Sequence, residues 1–449
     1  MRRLWSTIAL VVVLGGLFAY IYFVLWKKPD TDAASKQEKV FASIQADKID
    51  EIRITSDKGD VTGLKKDKAG WQIVAPGSAR ADESELSGIT SNLVSVEMTR
   101  VIDENPTDLK DYGLATPRVE VDFKVEGGKD YRRLLIGEKS PTGADLFAKR
   151  DTEKRVFLIP VLQESTFNRS TFDLRDKTLL KFDRDKVDGI EVIAGGKSVQ
   201  LAKDGSDWKI AKPIQGRADF GSVEGLIGRV QSVQMKSIVT DEARPADLKK
   251  YGLDKPDVTL HVGAGSAKAT LLVGGKADNN MLYARDASRP AVMTIDSSLA
   301  DELKKGADVY RRMEIFELRS FTTSRLELTR DGRTVVFEKA KASADKAPES
   351  WRRVSPTAGD VDKDKMAAFL SKLEGIRAQS FVDSTTKTGL ASPALTVVAK
   401  FDDGKKEERV AFGKTADGVY AARQGEPGAA KIDTGDFTDV NGKLNELSK

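Results

Sequence analysis

A tryptophan followed five residues later by proline occurs three times in this chain, at Trp71 and Pro76, Trp208 and Pro213, and Trp351 and Pro356. A Gly-Leu pair followed by proline also occurs three times: Gly113 with Pro117, Gly252 with Pro256, and Gly389 with Pro393. A third landmark is an apolar run closing on glycine, at Gly137, Gly274 and Gly413. Successive copies lie 137 and 143 residues apart for the tryptophans, 139 and 137 for Gly-Leu, and 137 and 139 for the third landmark. Three landmarks in one order at nearly one spacing mark internal repetition, which constrains the fold more than any single motif. The repeat divides the chain into modules at 39–177, 178–315 and 316–449, and a length of 449 residues suits about three domains.

Within each copy, segments beginning at Ile49, Val187 and Arg325 alternate apolar and polar residues, as half-buried strands do. Amphipathic helices are expected over roughly 83–96, 222–233 and 363–376, with Leu86, Ile89 and Leu93 or Met366, Phe369 and Leu373 on one face. Roughly six or seven strands and one main helix per copy, joined by short turns, predict an α+β class built on mostly antiparallel sheets.

Ahead of the repeats, residues 4–26 run 23 positions without a charge. At 1.5 Å per residue such a helix is about 34 Å long, enough to cross a hydrocarbon core of about 30 Å. Trp5 and Trp26 stand at its two ends, where amphipathic rings prefer the interface. The stretch exceeds the apolar region of a cleaved signal peptide. Residues 1–26 are therefore expected to form a transmembrane anchor contacting the bilayer through 4–26, and the polar stretch 27–38 to be a tether. Arg2 and Arg3 on one side nearly balance Lys27 and Lys28 on the other. The amino terminus tips the expectation toward a cytoplasmic N-terminus, a single pass through a bacterial inner membrane, and modules in the periplasm or otherwise outside the cytoplasm.

Chemistry is sparse. Cysteine is absent and histidine occurs once, which removes thiol nucleophiles, disulfides and clustered imidazole metal sites. Lys plus Arg total 73 against 69 acids, interspersed, with no basic block of the kind nucleic acid attracts. Apparent motifs dissolve when the copies are compared. The glycines near Gly263 align with hairpin turns in the other copies, and Gly413-Lys414-Thr415 lacks the earlier glycine of a phosphate loop, Glu408 standing in its place. Asp360, Asp362 and Asp364 resemble a calcium loop, but Lys365 replaces its glycine, and acids there suit a helix start. His261 lies in an alternating strand on the face opposite Val258 and Leu260, which predicts a surface residue. No catalytic residue, metal site or cofactor site is expected. The three tryptophans are expected in the core between sheet and helix; the competing reading is a stacking ladder for a glycan.

An N-terminal anchor, tandem W-x-x-x-x-P and YGL-x-x-P modules, and the pairs Phe147-Ala148, Tyr283-Ala284 and Tyr420-Ala421 resemble a bacterial membrane-anchored family catalogued as a domain of unknown function. The segments from Phe172 (FDLR) and Phe316 (FELR), each introducing a new copy, strengthen the resemblance, while Thr388 stands where the other copies have tyrosine. Members are often encoded beside gliding-motility-type ABC transporter components. The resemblance thus implies a non-enzymatic scaffold or interaction protein, accessory to an envelope transport system, with transporter subunits as partners. A glycan or cell-wall-binding array is the alternative.

Overall fold

The computed structural model describes residues 38–340 and 350–448. In the first module nine strands form one sheet: β1 (Ile49–Thr55), β2 (Val61–Asp67), β3 (Gly70–Ala75), β4 (Ala79–Arg80), β5 (Arg100–Asp103), β6 (Val119–Val125), β7 (Arg132–Lys139), β8 (Asp145–Arg150) and β9 (Val156–Pro160). Their spatial order is β4-β3-β2-β1-β6-β7-β8-β9-β5, and every neighbouring pair is antiparallel. Strands between Val187 and Asp296, and between Thr323 and Ile432, repeat this order in two further nine-stranded sheets.

The alternation read from sequence places one face of each sheet inward. Ile52 and Ile54 of β1, and Val119, Val121 and Phe123 of β6, are buried. They face the main helix α1 (Glu83–Ser95), which turns Leu86, Ile89 and Leu93 into the same core. Each such side chain contributes about 1.5–3 kcal/mol on burial. Helix α1 starts where Asp82 accepts hydrogen bonds from the N–H groups of Ser84 and Glu85, at 2.9 and 3.2 Å. Asp219 and Asp362 cap the corresponding helices Phe220–Ser232 and Lys363–Glu374. The aspartates that resembled a calcium loop are thus a helix start: Asp362 accepts from Asp364 and Lys365.

Contacts divide the chain into two compact units, Met1–Lys177 with the first sheet and Thr178–Lys449 with the second and third. In the second unit the segment Tyr310 to Ile315 is hydrogen-bonded on both sides. Arg312 N–H donates to Arg217 O and Asp219 N–H to Tyr310 O in the second module, while Ala378 N–H donates to Met313 O and Ile315 N–H to Ile376 O in the third.

The α+β expectation with a leading transmembrane helix is corrected by these findings. The sheets are wholly antiparallel and nine-stranded, because the two-residue β4 and four-residue β5 form by pairing at the borders and carry too few residues for a period to register. The third module has two long helices rather than one, the second being Thr434–Ser448. Among the described residues no helix is long and apolar enough to cross a membrane. Residues 4–26, with Trp5 and Trp26, lie outside the described residues.

Candidate functional site

The repeat landmarks come first, since they were the strongest candidates. Trp71, Trp208 and Trp351 retain 4, 2 and 6 % of their surface exposed. Each lies in its own module's core, with Lys66 and Lys203 lying 6.0 and 5.9 Å from the first two ring centroids. The Trp208 indole N–H donates to Glu224 of the main helix at 3.3 Å. Rings in that position join sheet to helix and offer no exposed stacking face. The proline that follows each tryptophan segment, Pro76, Pro213 and Pro356, is preceded by a cis peptide bond.

Two landmarks that are distant in sequence prove to be one contact. Gly113, Gly252 and Gly389 adopt left-handed φ angles of 65, 68 and 76° and end a short turn. That turn lies on the strand carrying Gly137, Gly274 or Gly413. A Cβ on those three glycines would approach the carbonyl oxygens of Tyr112, Tyr251 and Thr388 to 2.1, 2.4 and 2.2 Å. Leu114 and Leu253 then fold into the core, and Pro117, Pro256 and Pro393 precede the next strand. In the first two modules the tyrosine packs on an aromatic partner, Tyr112 on Phe147 at 5.1 Å and Tyr251 on Tyr283 at 4.5 Å. Thr388, buried in the tyrosine's place, instead bonds its hydroxyl to Thr385 O.

His261 is half-buried and hydrogen-bonded to Thr270 at 2.9 Å on the neighbouring strand. Burial, then Lys268, holds its ring below the usual imidazole pKa, with Glu191 opposing. Among the described residues, no group of three or more His, Cys, Asp or Glu is placed to hold a metal ion.

The richest polar assembly was not legible in the sequence. It lies where the second and third modules meet. Arg217, on the border strand Gly216–Arg217, reaches Glu426 and donates to the carbonyls of Glu314 and Ile315 at 3.1 and 3.2 Å. Glu317 lies 3.5 Å from Arg217 and 3.3 Å from Arg423. Arg423 also pairs with Glu408, whose side chain has 0 % exposure and accepts from the N–H groups of Glu317 and Leu318 at 2.9 and 2.8 Å. Arg311 stacks on the Phe381 ring at 3.8 Å. The carboxylates Glu317, Glu408 and Glu426 are each engaged by arginine, so this cluster joins modules and leaves no idle base.

Equivalent hairpins show how the cluster arose from the repeat. Arg150 pairs with Glu153 and donates to Val40 O, holding the entry of the first module. In the second module the signs exchange: Asp286 precedes Arg289, and Arg289 donates to the carbonyls of Thr178 and Leu179. The third returns to Arg423 before Glu426 and clamps its entry segment through Glu408. The FDLR and FELR segments are not equivalent in space. Leu174 closes the first core, whereas Phe316 and Leu318 open the third. The spatial counterpart of Leu174 is Tyr310, since Asp82 and Asp219 donate to their respective carbonyls. Burial pushes the Tyr310 phenol up to about 12.

Neither the curated proteins nor the solved structures contain a match to this chain. A profile of a domain of unknown function, DUF4340, matches residues 71–219 and again 208–393, each match beginning at a landmark tryptophan. Together the two matches span more than half of the chain, which therefore belongs to the DUF4340 family.

Proposed function

We propose that this chain is a non-enzymatic interaction scaffold of the bacterial envelope, accessory to an ABC-type transport system. In this reading its modules lie outside the cytoplasm, and the apolar segment 4–26 holds them at the membrane. The observation that carries the reading is what the repeat preserves. Its tryptophans fill cores, its paired glycines bring backbone onto backbone, and its hairpin ion pairs clamp module entries. The recurring residues thus build a shape three times over and spend their polar groups on one another. Burial of the three indoles favours a scaffold over a glycan-stacking array. The link to transport rests on the resemblance of the tandem modules to a family encoded beside transporter components.

Crosslinking in intact membranes, followed by identification of the captured proteins, tests the reading. Recovery of transporter transmembrane subunits is expected, and exclusive recovery of peptidoglycan or polysaccharide would overturn it. Protease added outside the inner membrane should digest the modules; full protection of them would place them on the wrong side.

A further inference from the structure

The modules diverge beside the hairpin that precedes each landmark tryptophan. Val199 pairs with Val192 across the second hairpin, as Thr62 pairs with Ile54 across the first and Val335 with Leu328 across the third. In the first module Thr62 is buried and its hydroxyl bonds that of Thr171 at 2.7 Å, tying the segment that leaves the sheet to the hairpin. Asp57 N–H adds a second tie, donating to Asn168 Oδ1 at 3.1 Å. Matching backbone bonds, from Arg175 N–H to Phe172 O and from Arg311 N–H to Asp308 O, set the register of the two departing segments, so Ala307 stands where Thr171 does. Val199 and Ala307 thus replace both hydroxyls in the second module, and a cavity of about 510 Å³ lies between hairpin and departing segment. That is the size of a small-molecule site.

Two kinds of surface meet in this cavity. Val192, Val199, Ile210, Ile214 and Leu303 give it an apolar wall, while Lys197, Lys304, Lys305 and Arg311 line it with cations against two acids, Asp308 and Asp383. Lys305 is held by Glu302 at 2.7 Å, whereas Lys197 and Lys304 have no ion-pair partner among the described residues. Arg311 differs from the lysines, because its side chain keeps only 8 % of its surface exposed and one face of its guanidinium lies on the Phe381 ring at 3.8 Å. Among the described residues none of its side-chain N–H groups makes a hydrogen bond; the Asp308 carboxylate stands 3.7 Å away, beyond hydrogen-bond reach, and is itself 74 % exposed. A buried guanidinium without hydrogen bonds is costly, and an anion entering the cavity would satisfy it. The third module has a cavity at the equivalent place, lined by Leu328, Val335, Arg353 and Pro356, but there Arg330 bonds Asn441 and Asn445 and Arg353 bonds Thr357 O.

We propose that the cavity of the second module binds an amphiphile with one anionic head, a carboxylate or a phosphate, and one apolar chain. The head pairs with Arg311, Lys197 and Lys304 add attraction, and the chain lies against Val192, Ile210 and Leu303. A small inorganic anion would leave the apolar wall wet, and a neutral lipid would leave Arg311 unsatisfied, so the two surfaces together select a molecule that carries both properties. The inference stands apart from the transport reading, because it needs the second module alone, and a failed crosslink to transporter subunits leaves it intact.

The test uses the full-length chain in intact membranes and three photoactivatable probes that share one diazirine-bearing acyl chain: palmitic acid, a single-chain phosphatidate and the corresponding neutral alcohol. Adducts are mapped by peptide mass spectrometry. The expected result is saturable labelling within 192–199, 210–214 or 303–307 by at least one anionic probe, competed by its unlabelled parent, and none there by the alcohol. The anionic probe that labels identifies the head group. Arg311→Gln should raise the half-saturating probe concentration about tenfold, the loss of one hydrogen bond to a charged group. Ala307→Phe, which fills the cavity from a partly exposed position, should abolish labelling there. The comparison with the alcohol needs no protein variant and stands even where a substitution prevents folding. Labelling confined to 4–26, equal labelling of the cavity by the alcohol, or a half-saturation unchanged in folded Arg311→Gln would each overturn the proposal.

Discussion

Gly274 lies against Tyr251 so closely that a Cβ on the glycine would stand 2.4 Å from the tyrosine carbonyl oxygen, while the N–H of Gly275 donates to that same oxygen at 2.8 Å. Two motifs that look independent in the sequence are therefore the two halves of one backbone contact, and the spacing between them is set by the strand that connects them.

Gly274→Ala should destabilise the protein by about 1–3 kcal/mol, the usual result of forcing extra volume into a filled site. Gly225→Ala is the matched control: it lies inside the helix Phe220–Ser232 with open space around it, so alanine should add up to about 1 kcal/mol through helix propensity. Urea denaturation monitored by circular dichroism separates the two, and equal effects would refute the contact.

Trp208→Ala removes the largest fully buried side chain and should cost about 3–5 kcal/mol. The loss should appear as a lowered denaturation midpoint. An unchanged midpoint together with lost polysaccharide binding would instead identify the ring as a ligand platform.

Glu408→Ala leaves Arg423 and the N–H groups of Glu317 and Leu318 without their shared carboxylate. Removing one member of a buried pair costs about 3–5 kcal/mol, and the second unit should lose that stability while the first keeps its own. Limited proteolysis should detect earlier cleavage after residue 178 than before it.

Tyr310 supplies a pH signature. Its phenol is buried with no hydrogen-bond partner for the hydroxyl among the described residues, and its pKa is raised to about 12 from the ordinary 10.0. The folded state thus favours the protonated form. Its contribution is fully present below pH 10 and is lost as pH rises toward 12, because the unfolded chain releases the proton first. Tyr310→Phe should flatten the fall in stability between pH 10 and 12 and be close to neutral at pH 7. Parallel pH profiles of the two proteins would contradict this account.

Much of the fold was readable because the repeat supplies its own comparison. Alternation in Ile49–Thr55 and Val119–Val125 and helical spacing in Glu83–Ser95 come from burial on one face, which leaves a period in the sequence. Border strands such as Ala79–Arg80 owe their existence to hydrogen bonds with a neighbour, and two residues carry no period. The helix Thr434–Ser448 escaped notice because Phe437, Val440, Leu444 and Leu447 are spread among polar and small residues. The ion-pair cluster was invisible for another reason: Arg217 and Glu426 are 209 positions apart, and the sign exchange between Asp286–Arg289 and Arg423–Glu426 shows only when the hairpins are superimposed. Equating FDLR with FELR followed letter similarity where register was needed.

The doubly bonded segment from Tyr310 to Ile315 bears on how such an array can change its length. A cut there would bare main-chain groups on both neighbouring modules, so adding a whole unit with its own stitch would disturb fewer of these hydrogen bonds than a break inside the segment. Gene-level growth would then proceed in steps of one repeat, and an inserted bead would bring the thread that sews it to the next.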